Sequence, residues 1–174
     1  MDPAAFIANL AGAVPAFEGL LRAVVYVLGV ALVIRSLHLA VRRTEFGAQA
    51  TSSARIVVTF VTGALLLAFP STVSMLGLTL FGTAGTPGPE AIFAYGGGML
   101  DTLSTGPSRQ ATGAFMLIIQ LVGFIAIARG LLFLNMAASP GGPQGFGPGL
   151  TFLIAGALAV NFPTFFGMIA SLFV

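Results

Sequence analysis

Two stretches without a single charged residue, Ile56 to Phe81 and Leu150 to Val174, restrict this chain more than any other feature it has. About 20 consecutive apolar residues in helical form cross a hydrocarbon core of about 30 Å, and both stretches are long enough. Two more reach that length while carrying arginine. Leu20 to Ala40 holds Arg22 and Arg35 near its ends, and Ala111 to Met136 holds Arg129 about two turns from its end. An arginine at mid-helix costs about 2.5–3.5 kcal/mol on insertion scales, and less where it can reach head groups; the apolar residues around it outweigh that. Across the 174 residues 57% are apolar and 7% charged, and the mean hydropathy is +1.03. A soluble domain carries roughly 25% charged residues, so water cannot be the solvent on every side. The expected fold class is an all-α integral membrane protein with four transmembrane helices.

Ahead of the first span, Phe6, Leu10, Ala13 and Phe17 fall on one helical face interrupted by Pro15. That pattern suits a short N-terminal interfacial helix and is too short for a fifth span. Met1-Asp2-Pro3 puts no basic residue before the apolar stretch, so a cleavable secretory signal is not expected. Residues 82–110 are rich in Gly, Pro, Ser and Thr, and a second turn-rich segment runs from Ser139 to Gly149. Neither is a nucleotide cradle, since neither offers a lysine or follows a strand. The expected organisation is an interfacial segment over 1–19, a two-helix membrane unit over 20–81, an outward-facing loop over 82–110 and a second two-helix unit over 111–174.

The two units read as a tandem repeat. Gly63-Ala64-Leu65 through Phe69-Pro70-Ser71 matches Gly156-Ala157-Leu158 through Phe162-Pro163-Thr164 at an offset of 93, and Val33-Ile34-Arg35 matches Ile127-Ala128-Arg129 at an offset of 94. Two-helix units return the chain to its starting side, so the repeats are parallel, unlike the inverted repeats of many transporters. Arg35, Arg42, Arg43, Arg55 and His38 cluster about the first short loop, whereas the long loop holds Arg109 against Glu90 and Asp101. The basic bias places the first loop in the cytoplasm and both termini on the other side, the periplasm of a double-membraned bacterium.

Several function classes are disfavoured. The seven basic residues are all arginine and are dispersed, with a net charge of +2, where nucleic-acid binding needs a dense basic face. There is no cysteine, His38 is the only histidine, and the five carboxylates (Asp2, Glu18, Glu45, Glu90, Asp101) are scattered. No metal site or nucleophile–base pair is expected, and no cofactor or catalytic residue is assigned. The structural and partner candidates are polar residues within spans. Arg35, His38 and Arg42, at i, i+3 and i+7, share a face that either anchors to head groups by snorkelling or meets a partner subunit or anionic lipid. Arg129 is expected to bond backbone carbonyls freed by a proline in a facing helix. Pro70 and Pro163 each free a carbonyl about four residues earlier, which Ser71 and Thr164 can satisfy, so each span is expected to carry a kink or, alternatively, a hinge that moves. Gln120 and Asn161 are expected to bond between helices, and the small-residue pairs Ala126/Gly130 and Gly167/Ser171 to allow close approach.

The second half carries a resemblance. Gln120-Leu121-Val122-Gly123-Phe124-Ile125-Ala126-Ile127-Ala128-Arg129-Gly130-Leu131-Leu132, a Gly-rich loop, then Phe146-Gly147-Pro148-Gly149-Leu150-Thr151 and Gly156-Ala157 together resemble the IcmC/DotE family of type IVB (Dot/Icm) secretion and related conjugation systems. The resemblance covers roughly Phe115 to Phe173 and extends more loosely over Leu28 to Phe93. It implies a small multi-spanning subunit of the bacterial inner membrane, partnered by other secretion-apparatus membrane subunits and by copies of itself. Arg129, Gly130 and the Phe146–Gly147 turn are the positions that match its motif; no catalytic residue is carried over. Two other roles fit a small, glycine-rich apolar chain: a pilin-like subunit of an extracellular filament, whose contacts do not close, and a small solute channel or carrier, which would need more mid-span polar residues than Gln120 and Asn161.

Overall fold

The computed structural model describes residues 3–47, 51–81, 107–139 and 145–162, and these are all helix and short connections, without strands. The elements are α1 (Pro3–Phe46), α2 (Ser53–Leu67), α3 (Phe69–Phe81), α4 (Pro107–Ala137) and α5 (Phe146–Val160). Most of the long loop, the centre of the second turn-rich segment, and Pro163, Thr164 and the Gly167/Ser171 pair lie outside the described residues.

Two helices are long and apolar enough to cross a membrane, Ala16–Phe46 within α1 and Ile118–Ala137 within α4, and the α2–α3 pair makes a third if its bent halves count as one span. Helix α5 is apolar but has 15 residues, about 22 Å of rise. Only 22% of the α1 window is buried within the chain, and Val27, Ile34, Leu37 and Val41 all point outward. A soluble fold would expose these to water at a cost of about 25 cal/mol per Å².

Two expectations change. Residues 3–17 do not form a separate interfacial helix, because α1 is continuous from Pro3 to Phe46. A proline removes a single rung of the ladder, and the rungs on either side suffice to carry the helix past Pro15. Nor is Ile56 to Phe81 a single kinked helix: it breaks at Ala68, and α2 and α3 are inclined at 96°. Pro70 explains why a break falls here, since it lacks an N–H and its ring clashes with the carbonyl four residues back.

The helices pair as two antiparallel hairpins. Gly29 of α1 lies against Leu67 and Gly63 of α2, and Gly63 lies against Val33, so the partner retreats as α1 advances. In the same way Gly123 of α4 lies against Val160 and Gly156 of α5, and Gly156 against Ile127. A Cβ at Gly63 would sit 2.9 Å from the Val33 backbone nitrogen, and one at Gly123 2.8 Å from that of Val160. No side chain fits there, so the backbones touch. The core between and within the hairpins contains Val25, Leu32, Leu66, Phe69, Val73, Phe124, Ile127, Leu131, Leu153 and Val160. Phe69, the first residue of α3, meets Phe124 of α4 edge-on at 6.3 Å, which ties the bent segment to the second hairpin.

Candidate functional site

Among the described residues, polar side chains form bonds at three places that shape the fold. The first is the α2–α3 break. The last carbonyls of a helix have no partner within it, and here Ala68 N–H donates to the Ala64 carbonyl at 2.9 Å. Thr72 serves a further one: its hydroxyl lies 2.9 Å from the Leu65 carbonyl and 3.1 Å from that of Ala68, and is placed to donate to either. The residue expected to do this was Ser71. Thr72 does it instead, because the 96° turn brings the hydroxyl on the inner side of α3 back over the end of α2. Pro70 is half-buried, and Ser74 donates to its carbonyl at 3.2 Å.

At the end of α5 stands Asn161. It does not bond across to another helix among the described residues; its N–H and its Nδ2 both donate to the Ala157 carbonyl, at 3.1 and 3.0 Å. The helix stops at Val160 with the Asn161 N–H still closing its last turn, and the side-chain amide adds a second donor to the same carbonyl. Gln120 is buried in α4.

Between the hairpins the Thr59 hydroxyl of α2 donates to Asn135 Oδ1 of α4 at 2.8 Å, and both residues are buried. Neither was singled out from sequence. Their types permit an interhelical bond, but 76 positions separate them and nothing local says that they meet. Ser36, also unnoticed and fully buried, donates to the Val33 carbonyl on its own helix at 2.7 Å.

The arginines divide by hairpin. Arg35, His38 and Arg42 are exposed on α1 and make no hydrogen bond or ion pair among the described residues, whereas Arg43 donates to Ser53 Oγ across the turn into α2. Arg129 does not reach backbone carbonyls. Among the described residues its guanidinium lies instead over the rings of Phe133 and Phe152, 5.4 Å from each centroid. Gly130 is buried: a Cβ on it would lie 2.9 Å from the Gly149 carbonyl oxygen. Of the small pair Ala126/Gly130, then, it is Gly130 that marks the crossing, seven residues from Gly123. Such a heptad spacing keeps one stripe facing one partner, and it was the signal available in the sequence. Phe146 and Gly147 open α5 and are exposed, the Gly147 carbonyl accepting from Thr151 Oγ1 at 3.0 Å. Among the described residues no group of three or more His, Cys, Asp or Glu could hold a metal ion.

Comparison with family models, with curated proteins and with solved structures finds no match to this chain.

Proposed function

We propose that this chain is a structural, channel-associated subunit of the inner membrane in a type IVB secretion or conjugation apparatus, helping protein or DNA across the envelope. It spans the bilayer four times as two tandem parallel repeats, keeps both termini in the periplasm, and assembles with other membrane subunits and with copies of itself. It performs no catalysis of its own.

What carries a structural role is the use the chain makes of its interior polar groups. Thr59 and Asn135 bond each other, and Ser36, Thr72 and Asn161 each bond a carbonyl within a few residues. Among the described residues no buried side-chain nitrogen or oxygen lacks a partner. Buried polar groups left over for a solute would be costly without one, so this interior suits holding helices together better than conducting. The repeat reading is supported by the two glycine crossings: Gly123 and Ile127 lie 94 positions after Gly29 and Val33, while Gly156 and Val160 lie 93 after Gly63 and Leu67. Ala68 and Asn161, which end α2 and α5, are also 93 apart and share backbone angles, φ −93° and ψ 33° against φ −99° and ψ 22°.

An in-frame deletion that spares neighbouring genes should abolish or strongly reduce transfer of substrate to a recipient cell, and re-expression should restore it. Undiminished transfer rejects the secretion role. Protease-accessible tags on the two ends should both report the periplasmic side; opposite sides would reject four spans.

A further inference from the structure

Arg129 is held against two aromatic rings. Its guanidinium packs against Phe133, one turn further along α4, and against Phe152 of α5, and the two rings pack on each other at 5.3 Å with planes inclined by 33°. A guanidinium that lies over aromatic faces keeps its N–H donors free at its edge. Here the side chain is exposed and has no hydrogen bond or ion pair among the described residues.

Its depth matters as much as its stacking. Helix side chains lean toward the N-terminus, so Phe133 leans back over Arg129, and Phe152, set between Gly149 opposite Leu134 and Leu153 opposite Gly130, leans toward the start of α5. The guanidinium against Phe152 therefore sits level with residues 130 to 134, on the side of the span that ends at Ala137, within about 5–10 Å of helix from that end. Head-group phosphates lie within reach of a long side chain at that depth. The start of α5 is at the same end of the hairpin, since Gly149 packs against Leu134. Its N-cap, Gly145, makes no side-chain cap bond, so the first-turn amides add partial positive charge. Phe146 and Leu150, both exposed on α5, offer apolar surface to an acyl chain.

We infer that this end of the second hairpin binds the phosphate of one anionic phospholipid, through the edge of Arg129, on a platform made by Phe133 and Phe152. The inference rests on the hairpin lying in a bilayer and not on the secretion role. A lipid phosphate fits better than the carboxylate of a partner helix because the charge lies toward the end of the span instead of at mid-span.

The test is native mass spectrometry of the full chain from micelles doped with equal phosphatidylglycerol and phosphatidylcholine. The wild type should retain one phosphatidylglycerol in preference to phosphatidylcholine. Arg129→Gln should lower that retention about fivefold, the equivalent of about 1 kcal/mol for one basic group at an anionic surface. Phe133→Leu/Phe152→Leu, which keeps apolar bulk, should also lower it, and Arg35→Gln, whose guanidinium has no ring beneath it, should not. Arg129→Lys should give an intermediate value and serves if the glutamine variant fails to fold. Equal retention in wild type and Arg129→Gln overturns the site, as does the absence of a phosphatidylglycerol preference or an equal loss in Arg35→Gln. Co-purification of a protein that Arg129→Gln releases, without any lipid preference, would assign the guanidinium to a carboxylate instead.

Discussion

The first hairpin brings α1 and α2 together at Gly29 and Gly63 and then turns the chain through 96° into α3; the second brings α4 and α5 together at Gly123 and Gly156 and again at Gly130 and Gly149. Where the second has its extra glycine pair, the positions 94 and 93 residues earlier hold Ser36 and Ile56. Where it has Phe133 and Phe152 around Arg129, they hold Leu39 and Thr59 around Arg35. One backbone crossing therefore supports two different uses. In the first hairpin this position of α2 is a buried threonine that ties the hairpins together; in the second it is an aromatic ring that supports a charge. Contact between backbones sets the crossing, and the side chains beside it are free to differ.

The largest effect that could break this comparison is at the crossings. A side chain on Gly156 would meet Ile127 Cγ1 at 2.7 Å and the Gly123 carbonyl oxygen at 2.8 Å, contacts that must be relieved by moving whole helices. Gly156→Val should cost about 3 kcal/mol in reversible unfolding from mixed micelles, and Gly63→Val nearly as much. A tolerated Gly63→Val beside a damaging Gly156→Val would show that only the second hairpin depends on close approach.

Next in size is the tie between hairpins. Thr59→Val leaves Asn135 Oδ1 buried without its donor and should destabilise the chain by about 1.5 kcal/mol, with much of the loss recovered in Thr59→Val/Asn135→Leu. A double-mutant cycle with no coupling would mean that the hairpins associate through apolar contact alone. Because the chain has no cysteine, Thr59→Cys/Asn135→Cys also offers a direct check by cross-linking within one chain.

Smaller effects separate the two helix breaks. Thr72→Val strands the Leu65 carbonyl and should cost about 1 kcal/mol, with the α2–α3 angle, read from spin labels at positions 60 and 78, opening as the hydroxyl is lost. Asn161→Ala gives up one of two donors to the Ala157 carbonyl and should cost about 0.5 kcal/mol. The reverse change, Ala68→Asn, should stabilise the first break by a similar amount; a loss there would show that the two breaks are built differently.

Much of the framework could be read directly. Apolar length picks out α1 and α4, and Pro107 at the first position of α4 is where a proline sits without losing a bond. Gly63 and Gly156, which the sequence sets in similar surroundings, each lie where two helices touch. Glycines seven residues apart, 123 with 130 and 149 with 156, were an available sign of the crossing. The bend at Ala68 was not legible in the same way. Pro70 removes one hydrogen bond whether the helix kinks slightly or turns sharply, and the outcome depends on Thr72 and on Phe69 packing against Phe124. The same holds for Arg129, whose second ring comes from another helix.

Helical class and apolar character were decided by the sequence alone, since backbone hydrogen bonding within a segment and transfer from water are sums over neighbouring residues. Which polar groups meet was decided only by the tertiary structure. A hydrogen bond or a ring contact depends on separations of a few ångströms between segments far apart in the chain, and those separations are set by how closely the glycines let the helices approach.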